Sequence, residues 1–239
     1  MKTATIEYRQ GNTVLEGFLA RDTPGPARKP GVLVIHEWMG LGPNDKRRAE
    51  QLAQLGYVAF AADIFGKGVR PDNPKDAGAM VARYRSDRGL LRERVKAGLE
   101  ELRRQEGVDP GRIAAIGYCF GGTAVLELAC SGADLKGIVS FHGGLDSPGP
   151  QEVRNIRAKV LALHGADDPI VPDRQVKVFE DEMRGGNIDW QLVKYSNAVH
   201  AFTNPNAGND NSTGVAYNAD ADRRSWEAMK SFFKEIFQE

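Results

Sequence analysis

The chain has 239 residues, 41% of them hydrophobic and 27% charged, a composition of globular proteins that excludes a low-complexity or fibrous architecture. Thirty-two Lys and Arg balance thirty-two Asp and Glu, so no net field draws the protein towards nucleic acid or an anionic membrane. The longest apolar stretches are strand-sized, far short of the roughly 20 residues a membrane helix needs.

The N-terminal segment, MKTATIEYRQ, lacks the apolar run of a signal peptide, and a cytoplasmic protein is expected. Thr3 to Tyr8 and Thr13 to Leu19 alternate apolar and polar residues around Gly11-Asn12, which predicts a hairpin. Thr23 to Pro30 is rich in Pro and Gly and predicts a loop. Gly31 to Ile35 is a continuous apolar run suited to a strand covered on both faces. A helical pattern over Asn44 to Leu55 stops at Gly56, and Tyr57 to Ala61 is a second buried strand. Residues 74–87 and 90–105 read as helices, and the pairs Arg47-Arg48, Arg103-Arg104 and Arg223-Arg224 read as solvated helix faces. Ile113 to Gly117 reads as a strand, and Gly121 to Ala129 as a helix. Strands over Gly137 to Phe141, Lys159 to Leu163 and Ile188 to Lys194 follow, with helices over Asp173 to Met183 and Asp220 to Phe237. Asn204 to Asn218 reads as a polar surface loop. Such alternation predicts an α/β protein of one domain, residues 1–239, with a mainly parallel central sheet and helices on both faces. No coiled-coil heptad or strongly apolar surface helix is evident, so a monomer or weak homodimer is expected.

Sites in open parallel sheets form at the carboxyl ends of strands, and polar chemistry collects there in this chain. Gly117-Tyr118-Cys119-Phe120-Gly121-Gly122 has the spacing of a nucleophile elbow, with cysteine in place of the usual serine. Flanking glycines permit the tight strand-to-helix turn, and the helix N-terminus favours negative charge at the sulfur. Only one other cysteine, Cys130, is present, too few for a disulfide scaffold, and this favours a reducing compartment. His36, His142 and His164 each follow an apolar strand directly and read as packing or hydrogen-bonding residues. His200 stands between the last strand and the final helix, where a general base would lie. The acid that orients such a base is Asp167 or Asp168. Nucleophile, acid and histidine then follow the chain order of α/β-hydrolases, and the fold class predicted is the α/β-hydrolase fold. The backbone N–H of Phe120 is one expected oxyanion donor, and Trp38, after the third strand, is the candidate for the second.

At these residues the sequence resembles the dienelactone hydrolase family, cysteine-dependent α/β-hydrolases, from Gly31 to the final helix. The resemblance is carried by His36-Glu37-Trp38-Met39-Gly40, by Gly117 to Gly122, by the Asp168 segment and by His200-Ala-Phe-Thr-Asn-Pro205. Pro169 and Val171-Pro172 follow the acid at the family's spacing, which selects Asp168 and leaves Asp167 to the turn. The resemblance also implies a role for Glu37, whose family counterpart contacts the resting thiol and helps to deprotonate it. It includes a branch with broad ester substrates and a phosphotriesterase. Family lactonases carry an arginine four residues after the histidine, where this chain has Asn204. Arg83 or Arg85 would be the nearest replacements, although solvated surface is their simpler reading. Without that carboxylate clamp, a neutral ester, lactone or organophosphate is the expected small-molecule substrate.

Met39, Phe65, Tyr84, Phe141 and Phe202 join Trp38 and Asn204 as candidate pocket residues. Neither a cofactor nor a metal is expected, because the histidines sit at separate strand ends with no His-x-His or His-Glu-x-x-His spacing. The function expected is metal-independent ester or lactone hydrolysis through a covalent Cys119 intermediate. Phosphotriester hydrolysis by the same thiolate is the second reading, and a non-catalytic small-molecule binder the third.

Overall fold

The computed structural model describes residues 1–22 and 27–238. Among them, eight strands and seven α-helices alternate and the sheet is mostly parallel, as expected of an α/β-hydrolase. By compactness the chain divides into residues 1–116 and 117–239.

In the first unit, β1 (Lys2–Gln10) and β2 (Thr13–Arg21) form the expected hairpin, with Gln10 opposite Thr13. Gly11 takes φ +54 in the turn, a conformation open to glycine at little cost. Of the Pro/Gly-rich loop, residues 23–26 lie outside the described residues. Its last residue, Pro30, already belongs to β3 (Lys29–Ile35), because Lys29 N–H finds Gly107 O at 2.8 Å. β4 (Val58–Ala62) runs parallel to β3 and antiparallel to β2, which gives the order β1-β2-β4-β3. Nearly every residue of β3 and β4 is buried, so the continuous apolar runs reflect cover on both faces. That cover comes from α1 (Pro43–Gln54) and α3 (Arg88–Arg104). On α3, a Cβ at Gly98 would lie 2.7 Å from Ala62 Cβ, so the glycine lets the helix approach the sheet closely. α2 (Pro74–Ser86) and α3 share Asp87, which ends the first helix and caps the second by accepting Leu90 N–H at 2.9 Å.

β5 (Val108–Tyr118) begins five residues before the apolar run that announced it, and its last two residues open the second unit. There β6 (Gly137–Phe141), β7 (Lys159–Gly165) and β8 (Trp190–Tyr195) are parallel neighbours in that order. β8 starts two residues later than its apolar pattern. Asn187 at φ +56 and the bond from Ile188 N–H to Met183 O keep those residues in the turn leaving α6 (Asp173–Gly185). α4 (Phe120–Cys130) is buried along its whole length, and α7 (Ala219–Phe237) packs on β6 and β7. A one-turn helix, α5 (Pro150–Val153), was not expected from the sequence. The stretch from Asn204 to Asn218 is mostly exposed, as expected of a surface loop. It holds two short 3-10 turns, Pro205–Ala207 and Asn211–Thr213, and then buries Ala216. Among the described residues, no helix is long and apolar enough to cross a membrane.

Candidate active site

The turn from β5 into α4 is strained where Cys119 sits. Cys119 takes φ 52 and ψ −114, outside the ordinary allowed regions for a residue with a Cβ. Close approach explains its glycine neighbours. A Cβ at Gly117 would lie 2.0 Å from Gly121 O, and one at Gly122 would lie 2.5 Å from Ser140 Oγ. Cys119 is half-buried and Cys130 is buried in α4; neither forms a disulfide. As N-cap of α4, Cys119 places its sulfur at the positive end of an 11-residue helix. Phe120 is the first helical residue, where backbone N–H groups point beyond the helix end.

His200 reaches this sulfur from the loop after β8, with Nε2 3.1 Å from Cys119 Sγ. Its Nδ1 lies 2.8 Å from Asp168 Oδ2. The other carboxylate oxygen of Asp168 accepts Ile170 N–H at 2.8 Å and Val171 N–H at 3.1 Å, so the acid cannot swing without breaking two backbone bonds. Asp167 is exposed, and its N–H closes the turn on Ala198 O at 3.0 Å. Asp168, not Asp167, is the carboxylate within hydrogen-bond reach of His200. Both Asp168 and His200 are buried. Burial alone would drive the imidazolium towards neutrality. The charge interaction with the sulfur beside it, with the hydrogen bonds that His200 donates to Asp168 and Cys119, outweighs burial and holds His200 above the ordinary histidine range. Sulfur, imidazole and carboxylate thus lie in one hydrogen-bonded line.

The histidine loop is itself clasped. His200 N–H donates to Gly214 O at 3.2 Å, and His200 O accepts Ala216 N–H at 3.1 Å. Asn218 N–H reaches Phe202 O at 3.0 Å. Asn204 is half-buried, and its Oδ1 accepts Asn206 N–H at 2.9 Å, so its carboxamide caps a turn and carries no charge to replace the absent arginine. His164 is buried and held below the ordinary histidine range by desolvation.

In the first unit, Glu37, Trp38 and Met39 occupy the turn after β3. Glu37 is half-buried, and its carbonyl accepts Gly40 N–H at 3.3 Å. Trp38 and Met39 are exposed, at 38% and 37%. His36 donates from Nδ1 to Glu37 O at 2.6 Å and accepts Ile64 N–H on Nε2 at 3.2 Å. Burial pushes its pKa down to about 4. Two residues that sequence reasoning missed complete this region. Asp63, wholly buried, accepts Phe65 N–H and Gly66 N–H on one oxygen and Glu16 N–H on the other. Arg70 joins the loops after β3 and β4 through Leu41 O at 2.9 Å and Val69 O at 2.6 Å. No spacing signal marks either residue.

Four aromatic pocket candidates are packed as core. Phe65 lies edge-on to His36 and stacks on Tyr84 at 5.6 Å, and Tyr84 donates its hydroxyl to Ile64 O. Phe141 stacks on Tyr118 at 4.6 Å, and Phe202 meets His142 and Tyr195. All four are buried. Among the described residues, no group of three or more His, Cys, Asp or Glu side chains is arranged to hold a metal ion.

Comparison with known proteins identifies the family. The dienelactone hydrolase family model matches residues 15–237, across both compact units. A dienelactone hydrolase-like promiscuous phosphotriesterase, P91, from metagenomic libraries has a solved structure 41% identical to this chain, covering 98% of each, with a TM-score of 0.94. Protein usf of Aquifex pyrophilus is 28% identical over 235 residues, 96% of this chain and 97% of that protein. The dienelactone hydrolase of Anabaena variabilis ATCC 29413 shares the fold at a TM-score of 0.67 and 22% identity, covering 96% of this chain and 97% of that one. The chain belongs to the dienelactone hydrolase family and is a hydrolase of the ester and lactone class.

Proposed function

We propose that the chain hydrolyses neutral carboxylic esters or lactones through a covalent thioester on Cys119, without a metal ion. The observation that carries this reading is the unbroken line from Cys119 Sγ to His200 at 3.1 Å and from His200 to Asp168 at 2.8 Å. The thiolate attacks the carbonyl carbon, and the oxyanion takes the N–H of Phe120. Collapse of the tetrahedral intermediate breaks the ester C–O bond, and His200 gives its Nε2 proton to the departing alkoxide. Neutral His200 then takes a proton from water, whose oxygen attacks the thioester. Release of the acid returns the sulfur as thiolate and His200 as imidazolium. Asp168 keeps the imidazole in the tautomer that presents Nε2 to the sulfur. Asn204, engaged in a turn, favours substrates without a carboxylate.

A second reading, hydrolysis of neutral phosphotriesters by the same sulfur, is favoured by the 41% identity to the phosphotriesterase P91. Attack at phosphorus would expel the aryloxide and leave a phosphorylated Cys119, and the same histidine would activate water against it. The test pairs a p-nitrophenyl acyl ester with diethyl p-nitrophenyl phosphate, on wild type and Cys119→Ala, with and without chelator. Turnover of the ester with chelator, lost in the mutant by about 10³-fold or more, is the expected result. Full ester hydrolysis by Cys119→Ala would overturn the mechanism, and chelator-sensitive activity restored by zinc would overturn its independence of metal.

A further inference from the structure

His142 follows β6 at φ +40, a left-handed conformation that a non-glycine residue keeps only where its surroundings hold it. Those surroundings join the two halves of the proposed reacting pair. His142 Nδ1 accepts Cys119 N–H at 3.2 Å, a donor shared with Phe141 O at 3.0 Å. An accepting Nδ1 leaves the ring proton on Nε2, and Nε2 meets Thr203 Oγ1 at 2.8 Å. Thr203 lies three residues beyond His200, on the same loop. The His142 ring also meets the His200 ring edge-on, at 5.4 Å and 66°, and Phe202 at 5.0 Å and 79°. One wholly buried side chain thus touches the backbone of Cys119, the ring of His200 and the loop that carries His200.

We infer that His142 is a positioning residue for the reaction: a neutral, Nε2-protonated imidazole that sets the separation of Cys119 Sγ and His200 Nε2 by tying the strained elbow to the histidine loop. The inference rests on Cys119 and His200 acting as proposed above. It also accounts for the protonation state required. A proton on Nδ1 would face the N–H of Cys119, remove that bond and place positive charge against the His200 ring. An apolar core residue could fill the space but could neither accept from Cys119 N–H nor donate to Thr203.

The test compares His142→Phe, His142→Asn and Thr203→Val with wild type. Three quantities are read on each: kcat and KM on a p-nitrophenyl ester, the pH profile of Cys119 alkylation by iodoacetamide, and the melting temperature. His142→Phe keeps an aromatic ring and loses both bonds. Misplacement of reacting groups by about 1 Å can cost 10²-fold, so a loss in kcat of about 10- to 100-fold with little change in KM is expected. The alkylation profile should shift to higher pH as the thiolate–imidazolium pair loosens. His142→Asn sets an amide oxygen near the Nδ1 position and tolerates positive φ, so it should recover most of the loss. Thr203→Val should give a smaller change of the same kind. Losses that merely follow the melting temperature, with the alkylation profile unmoved, would overturn the inference, as would His142→Asn behaving like His142→Phe. Alkylation needs no ester, so the role of His142 is decided by that profile even if Cys119→Ala shows the hydrolytic reading to be wrong.

Discussion

His36 and His200 each lie at the mouth of a strand-end loop, each is buried, and each has both ring nitrogens engaged. Their charge states nevertheless diverge. His36 is bonded to Glu37 O and Ile64 N–H, both neutral backbone groups, and the nearby charges of Asp63 and Arg70 oppose one another, so desolvation dominates and its pKa falls to about 4. His200 meets a carboxylate on one side and a sulfur on the other, and their negative charge overcomes the same desolvation. Burial therefore does not decide what a histidine does. The charge of its two partners does, and only the second region combines a histidine that gains a proton with a backbone strained at the residue it touches.

The largest effect should separate the two histidines. His200→Ala should lower kcat on an ester by about 10³-fold or more while leaving the melting temperature within a few degrees. His36→Ala should do the reverse, removing about 2–4 kcal/mol of stability by stranding a buried N–H and opening a cavity. Its folded fraction should stay far more active than His200→Ala. Urea titration beside steady-state rates checks both, and comparable activity losses in the two variants would dissolve the contrast. Asp168→Asn follows, with about 10²- to 10⁴-fold lower kcat. It removes the carboxylate that helps to keep His200 charged, so the pH at which Cys119 becomes alkylated should move upward. A profile unchanged from wild type would show that the sulfur alone holds the proton on His200.

A middle-sized effect tests the first region by itself. Folded His36 stays neutral down to about 4, whereas the unfolded chain protonates it below 6.5. Between these values the unfolded state binds more protons, so stability falls as pH falls. Asp45 opposes this. Burial raises its pKa from 3.8 to about 6, so the folded state binds more protons there and stability falls as pH rises through that window. The two slopes partly cancel between pH 4 and 6. Asp45→Asn should expose the acid sensitivity of His36, making the loss of stability from pH 7 to 4 larger than in wild type by up to about 3 kcal/mol. Equal pH dependence, measured by denaturant titration at pH 7, 5 and 4, would count against His36 as the source.

These contrasts also mark what the sequence carried. β3, β4, β6 and β7 were legible because strands buried on both faces are written as unbroken apolar runs. Cys119 was legible because a tight elbow demands glycines at fixed offsets, and Asp168 because its turn has a recognisable Pro-rich spacing. The link from His142 to Thr203 was not, since it spans 61 residues and obeys no period. The Asp63–Arg70 tie, only seven residues apart, and the clasp of residues 214–216 on His200 are closer in sequence but fall on no recognised spacing motif. Phe65, Tyr84, Phe141 and Phe202 misled because an aromatic at a strand end packs inward or lines a pocket with the same sequence signature.

The smallest effects ask whether glycines in the two regions serve the same purpose. Gly122 stands behind the elbow, where a Cβ would lie 2.5 Å from Ser140 Oγ and 2.7 Å from Gly143 Cα. Gly143 is backbone and cannot turn aside, so Gly122→Ala should cost about 1–3 kcal/mol and shift α4 enough to lower kcat as well. Gly78 is exposed on α2, keeps an ordinary negative φ, and an added methyl there would have no atom within 4 Å. Alanine at that position restricts the unfolded chain and suits the helix, so Gly78→Ala should raise stability by about 0.5–1 kcal/mol with kcat unchanged. Opposite signs in the two melting temperatures would tie the glycine requirement at Gly122 to close packing behind Cys119. If both variants were stabilised, the elbow would have slack, and the strain at Cys119 would need another source than the crowding of α4 against β6.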